Sequence, residues 1–419
     1  MYVFLNQFTN RQKKMSHPCG VLPSGNFFFA SDNLQKRRFF GLGRLLNRLS
    51  DEQILSILPF CDVSSLLKLM QTSKALYIYC QTDDLWRDLV LHKVLCVQKF
   101  TTNWKTTYKC IKLGSSGGEV EKDVIIFNGI YSDYMHRPWY CSQFDISKNC
   151  PGFYEFDDIE RVKAEDMSVE QFVHNFEIPN RPVVIQNAVK GWSAFEQWTD
   201  DYLVSVCKDS QFRATSATAA LSASFTMSSY FQYASQTQGE EVPLYLFERD
   251  FASLVPELET AYSVPPYFSY SASHGSDLFQ ALGSQARPDY RWLIVGPARS
   301  GSIFHVDPNQ TNAWNVSIRG RKKWIFYPPD VSPPGVAASV DGAEVAVPIS
   351  TGEWMLSFWK FHLEARAHPD VSRRPLEAVL NPGEVIYYLS ELQPSTHILS
   401  HTNYLQGNDH CPLLHSSFD

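Results

Sequence analysis

A histidine and an aspartate two positions apart, in Gly301-Ser-Ile-Phe-His305-Val-Asp307-Pro-Asn, are the residues of this chain best suited to chemistry. The segment reads as a strand, and the two-residue period of a strand sends both side chains to one face. Such a face, turned into the mouth of a β-barrel and joined by a distant second histidine, supplies the two-histidine, one-carboxylate set that holds Fe(II) with three positions open. Open positions on Fe(II) mean oxygen chemistry. Taken alone the triplet is a short motif of a kind that mostly falls on surface loops, so its flanks decide its meaning.

Upstream stands Asp289-Tyr290-Arg291-Trp292-Leu-Ile-Val-Gly296, and downstream Thr311-Asn-Ala-Trp314-Asn315-Val-Ser-Ile-Arg-Gly320-Arg-Lys322-Lys-Trp324-Ile-Phe-Tyr-Pro-Pro329. The whole stretch resembles the JmjC (jumonji) family of Fe(II) and 2-oxoglutarate oxygenases, and within it the branch of the bifunctional arginine demethylase and lysyl hydroxylase. The resemblance implies His305 and Asp307 as iron ligands, with Asn315 and Lys322 facing 2-oxoglutarate and with Tyr245 and Trp292 lining the same pocket. Lys322 suits that part: an ammonium at the end of an apolar pocket needs an anionic partner, and the distal carboxylate of 2-oxoglutarate offers one. Trp292 is equally readable as core, because aromatics beside strands usually pack. The implied reaction couples oxidation of 2-oxoglutarate to succinate and carbon dioxide with hydroxylation of a substrate carbon. On an N-methyl group the product falls apart to formaldehyde and the demethylated amine, whereas on a lysine carbon it persists.

Leu380-Asn-Pro382-Gly383-Glu384-Val-Ile386 matches the approach to the penultimate barrel strands, and from Tyr387 the chain departs from the family it resembles. There the family carries an aromatic-Val-Pro turn, two aromatics, the distal histidine and a strand bearing Thr and Asn. This chain reads Tyr387-Tyr-Leu-Ser-Glu-Leu-Gln-Pro394-Ser-Thr-His397-Ile-Leu-Ser-His401. In ungapped register Pro394 takes the ligand position, and proline has no ligand atom. His397 replaces it only if the turn absorbs extra residues, while His401, His410 and His415 fall in a polar, turn-rich tail. The strand with Thr and Asn has no recognisable counterpart, so an open barrel edge is expected. So abrupt a change reads as an alternative exon, a retained intron or an error of the gene model. Two readings follow: an oxygenase with His397 as third ligand, or a catalytically inactive adaptor that uses its barrel as a binding surface.

The elements that must position these residues form an α+β chain. The expected order is a leader over residues 1–44, a helical module over 45–92, a linker and wrapping segment over 93–150, the JmjC-like domain over 151–386 and an atypical tail over 387–419. The JmjC-like part is expected to be a double-stranded β-helix of the jelly-roll or cupin type with flanking helices and an atypical C-terminal closure. Within it Ser168-Val-Glu-Gln171 reads as a capped helical turn, Arg181 to Gln186 as a β-branched strand, and Phe225 to Tyr233 as strand then helix.

Over 45–92, Leu46-Asn-Arg-Leu49-Ser-Asp51-Glu-Gln-Ile54-Leu55-Ser-Ile57-Leu58 spaces apolar residues at helical intervals behind a Ser/Asp cap. Asp62 opens a second helix, and Ser73-Lys74 and Leu85-Trp86 continue the pattern. The order resembles an F-box, which implies docking on a Skp-type adaptor and a cullin ubiquitin ligase. Lys105 to Lys112 and the Gly-Ser loop after Leu113 read as linker and hinge, and Tyr131 to Trp139 as the start of a segment wrapping on the catalytic domain. His136 and Cys141 lack the further ligands that a zinc site needs.

Composition agrees with two or three domains in 419 residues, and 44% hydrophobic with 14% aromatic residues is ample for sizeable cores. A net charge of -7 argues against nucleic acid or a membrane surface as a chain-wide partner, and a protein substrate carrying arginine or lysine side chains is what the family resemblance implies. The nine cysteines form no Cys-x-x-Cys pair and read as reduced thiols. No apolar run is long enough for a membrane span and no secretory pattern opens the chain, so a nuclear or cytoplasmic location is expected.

Overall fold

The computed structural model describes residues 16–24, 41–94, 96–113, 126, 130–217, 221–268, 286–307, 312–338, 345–348, 350–388, 393–398 and 404–411, the last two stretches as backbone. Most of the leader expected over 1–44, and the Gly-Ser loop after Leu113, lie outside the described residues. The chain divides into two units. The first comprises residues 1–95, 99–143 and 238–241, and the second 96–98, 144–237 and 242–419.

The first unit is helical. Helix α1 (Asp51–Ile57) begins with a reciprocal cap: Ser50 Oγ accepts from the Gln53 backbone N–H at 3.1 Å, and Gln53 Oε1 accepts from that of Ser50 at 2.9 Å. Asp62 caps α2 (Val63–Thr72) and Ser73 caps α3 (Lys74–Tyr79) through the side chain alone, each satisfying an otherwise orphaned N–H. Helices α4 (Asp83–Lys93), α5 (Trp104–Leu113) and α6 (Asp133–Ser142) follow. Ile54, Leu58, Leu66, Leu76, Trp86 and Trp104 are buried in this unit. Residues 105–112 are therefore helix rather than linker, because Trp104 and Tyr108, four apart, anchor one face of α5 in the interior. The segment from Tyr131 likewise belongs to the first unit, where it forms α6.

The second unit carries fourteen described strands: β1 (Arg161–Lys163), β2 (Val183–Gln186), β3 (Gln211–Thr215), β4 (Ser222–Thr226), β5 (Tyr245–Glu248), β6 (Arg291–Gly296), β7 (Asn312–Ser317), β8 (Lys322–Tyr327), β9 (Ala337–Ala338), β10 (Val345–Ala346), β11 (Leu376–Leu380), β12 (Glu384–Tyr388), β13 (Gln393–Ile398) and β14 (Tyr404–Cys411). Nine form one sheet in the order β1-β2-β12-β7-β14-β6-β5-β3-β4, antiparallel except for the parallel β1–β2 pair. A second sheet runs β11-β8-β13, and β9 pairs β10. Among the described residues the strands form these separate sheets and no closed barrel.

The core lies between the two larger sheets, where Val184, Ala313, Ile386 and Tyr388 meet Trp324, Phe326, Ala378 and Leu380. The other face of β8 packs Ile325 and Tyr327 against Trp354 and Trp359 of helix α7 (Thr351–Arg366). Every residue of β7 and β8 is buried, as expected of strands covered on both faces. Gly383, at φ 86°, makes the tight turn from β11 into β12 that a Cβ would strain.

Two expectations about the C-terminal stretch are corrected here. The tail is not turn-rich over its described part: it forms β13, paired with β8, and β14, paired on its two sides with β6 and β7. The β6 and β7 edges are thus covered, because a ladder is built from backbone N–H and C=O groups and needs no particular side-chain motif. Among the described residues no helix is long and apolar enough to cross a membrane.

Candidate active site

His305 and Asp307 lie on the connection between β6 and β7 and not on a strand. Gly301, at φ 139°, precedes them and Pro308 follows, so this stretch joins no ladder. Val306 is exposed, the Asp307 side chain is largely buried and that of His305 is 39% exposed, and His305 Nε2 stands 3.4 Å from Asp307 Oδ1. His305 Nδ1 is 2.6 Å from the Ile303 carbonyl oxygen. That oxygen only accepts, so Nδ1 carries a hydrogen. Nε2 then faces the carboxylate either as an N–H that donates to it or, in the neutral ring, as a second acceptor on an edge that a cation would bridge. Cis ligands of a metal with bonds of about 2.1 Å stand about 3 Å apart, close to the observed separation. Burial disfavours the charged imidazole, but the hydrogen bond and charge of Asp307 outweigh it and hold His305 above its ordinary pKa.

Lys322 opens β8 and is buried, its Nζ 4.2 Å from the centroid of the Trp324 ring. Burial pulls its pKa down to about 7 against the opposing pull of Asp307. Lys322, His305 and Asp307 thus share one electrostatic environment. Asn315 sits in the middle of β7, fully buried. Register puts it in one row across the large sheet with Trp292 of β6, Asn408 of β14, Ile386 of β12 and Val184 of β2. Val184 and Ile386 face the core, so the row, Asn315 and Trp292 included, faces inward. Trp292 stacks on Phe247 at 5.6 Å between centroids, which is the packing role its type suggested. Tyr245 is buried on β5, and its hydroxyl lies 3.4 Å from Ser302 Oγ on the loop that carries His305.

His397 pairs with Lys323, one residue out of phase with Lys322. Lys322 and Trp324 pair with Ile398 and Thr396. His410 of β14 pairs with Ala313, which faces the core and pairs in turn with Tyr388 of β12. The side chains of these tail residues lie outside the described ones. Among the described residues no group of three His, Cys, Asp or Glu side chains could hold a metal ion.

Two features of the site escape a reading of motifs. Tyr388 follows the Glu384-Val-Ile386 match and reads as core, and its ring does pack against Trp324 at 5.0 Å. Burial, together with the charge of Asp307, nevertheless raises its phenol well above the usual range. The second feature is a buried ion network behind the pocket. Lys323 Nζ stands 2.8 Å from Glu377 Oε2 and donates to the Phe156 carbonyl at 2.7 Å. Glu377 Oε1 accepts from His362 Nε2 at 3.0 Å and from Arg366 at 2.6 Å, and Tyr327 donates to His362 Nδ1 at 2.8 Å. The adjacent pair Lys322-Lys323 was the available signal: on a strand one lysine must face each side.

The sequence model of the Cupin-like domain matches residues 169–388. "Arginine-specific demethylase JMJ22" of Arabidopsis thaliana is 40% identical over 372 residues, 88% of this chain and 68% of that protein. "Bifunctional arginine demethylase and lysyl-hydroxylase psr-1" of Caenorhabditis elegans is 30% identical over 251 residues, 59% of this chain and 60% of that protein. "2-oxoglutarate and iron-dependent oxygenase JMJD4" of Mus musculus is 27% identical over 158 residues, 37% of this chain and 33% of that protein.

Proposed function

The chain belongs to the Cupin-like domain family, and on that premise we propose that it is an Fe(II)- and 2-oxoglutarate-dependent oxygenase acting on arginine or lysine side chains of proteins. The observation that carries the reading is the edge formed by His305 Nε2 and Asp307 Oδ1, with His305 Nδ1 held by the Ile303 carbonyl. These two donors fit a divalent metal, and Fe(II) with 2-oxoglutarate would supply the oxidation of a C–H bond. The residues of the chain do the rest. Lys322 offers a buried cation to the distal carboxylate of the co-substrate, and Trp324 beneath it favours the charged form. Asn315 adds an amide on the inward row, while Tyr245 and Trp292 help to keep the pocket dry.

Register supports His410 over His397 as the histidine that completes the ligand set, since His410 shares the row of Ala313 and Tyr388. Anaerobic titration of the full chain with Fe(II) and 2-oxoglutarate tests the reading through the visible charge-transfer band of the chelated complex. The band is expected in the parent chain and in His397→Ala, and is expected to be lost in His305→Ala and His410→Ala. A folded chain that gives no band would refute the oxygenase reading and leave the inactive adaptor.

A second role is favoured by the surface of the first unit, where Leu45, Ile57, Phe60 and Leu67 are exposed, Phe60 to 90%. These residues support an F-box reading of residues 45–92, docking on a Skp-type adaptor and through it on a cullin ligase. Co-purification with the adaptor is expected for the parent chain and not for Phe60→Asp.

A further inference from the structure

We infer that Tyr327 and His362 form a redox pair, in which the tyrosine gives up one electron to an oxidant and its phenolic proton passes to the imidazole. Tyr327 ends β8, His362 lies on helix α7, and both are fully buried. The Tyr327 oxygen stands 2.8 Å from His362 Nδ1, and His362 Nε2 stands 3.0 Å from Glu377 Oε1. The Glu377 carboxylate lies between Lys323 Nζ at 2.8 Å and Arg366 at 2.6 Å, so it only accepts and Nε2 carries a hydrogen. Arg366 also pairs with Asp158 at 2.6 Å, so two cations already face two carboxylates and the ring between them is balanced when neutral. Nδ1 is then a lone pair turned to the phenol, within the reach that a general base needs.

A phenol that has lost an electron is a strong acid, and one that kept its proton would leave an uncompensated charge in a dry interior. Here the O–H bond breaks as the electron leaves. The electron goes to the oxidant and the proton to Nδ1, which gives a neutral tyrosyl radical and an imidazolium whose Nε2–H faces Glu377. Reduction reverses both transfers. Burial and the charge of Glu377 hold the Tyr327 phenol above its ordinary range, so it keeps its proton until an electron is removed. The Phe304 ring lies 5.7 Å from that of Tyr327, and Phe304 directly precedes His305. On the oxygenase reading, on which this use of the pair rests, an oxidising equivalent arising at the candidate site has an electron donor one residue and one ring contact away.

The test is one-electron oxidation of the full chain, without added metal, by photogenerated tris(bipyridine)ruthenium(III), followed by electron paramagnetic resonance. A long-lived tyrosyl radical is expected in the parent chain, and labelling with heavy-nitrogen histidine should add a hyperfine coupling from the hydrogen-bonded imidazole. Tyr327→Phe keeps the packed ring and is expected to lose the long-lived signal. His362→Asn keeps an oxygen acceptor in place of Nδ1 but no base, and is expected to lose it too, with circular dichroism reporting that both variants are folded. Absence of a long-lived radical in the folded parent, or its survival in Tyr327→Phe, would overturn the inference. A Tyr327 radical that shows no histidine coupling overturns the part given to the imidazole, and the labelled parent decides this even where His362→Asn does not fold. Because the oxidant is external, loss of the oxygenase reading in the iron titration removes only the use of the pair and leaves this result standing.

Discussion

At the scale of single residues, burial of charge sets the sharpest expectations. Glu177, at the end of the π-helical turn Val173–Glu177, is 5% exposed, and desolvation pushes its carboxyl up from 4.5 to about 7. A carboxyl raised in the folded state binds its proton more tightly there than in the unfolded chain. Its contribution to stability is therefore intact below about pH 4.5, falls as pH rises toward 7, and is flat above. Glu177→Gln should stabilise the protein by about 3 kcal/mol at pH 8 and change little at pH 4, measured by denaturant unfolding at the two pH values. His305 and Asp307 were legible in the sequence because residue type and a spacing of two suffice to bring side chains together on extended backbone. Tyr388 was not, since nothing in a tyrosine after Val-Ile marks it as lying in the environment of Asp307 rather than as core alone.

At the scale of elements, β8 separates two electrostatic worlds. Lys322 lies over Trp324 in the environment of Asp307, and Lys323 joins the network of Glu377, His362 and Arg366, so one strand ties the candidate site to helix α7. Removing one member strands the others in a dry interior. Lys323→Met should cost about 3–5 kcal/mol in thermal or denaturant unfolding, and Lys323→Met with Glu377→Leu should recover part of the loss. The helical caps at Ser50, Asp62 and Ser168, and the strand around Val183, could be read from short-range chemistry. The place of β14 could not, because its pairing with β6 and β7 rests on backbone groups and on partners far away in sequence. The same reason explains why the loop of His305 read as strand: its alternation is strand-like, and only the absence of a neighbour makes it a connection.

At the scale of the whole molecule, two units with separate interiors should unfold as separate events. Calorimetry of the full chain should resolve two transitions, and saturating Mn(II) with 2-oxoglutarate should raise only the one belonging to the second unit, by several degrees. A common shift of both would mean that the units unfold together. The insertion of β14 between β6 and β7 also dictates a timetable. Neither neighbour can complete its ladder until a segment synthesised long after it has been threaded between them, so assembly of this sheet is governed by distant contacts and must be slow. Through that interval the nascent chain presents two bare hydrogen-bonding edges, which makes it a natural client for chaperones and places its greatest hazard before the protein is ever mature.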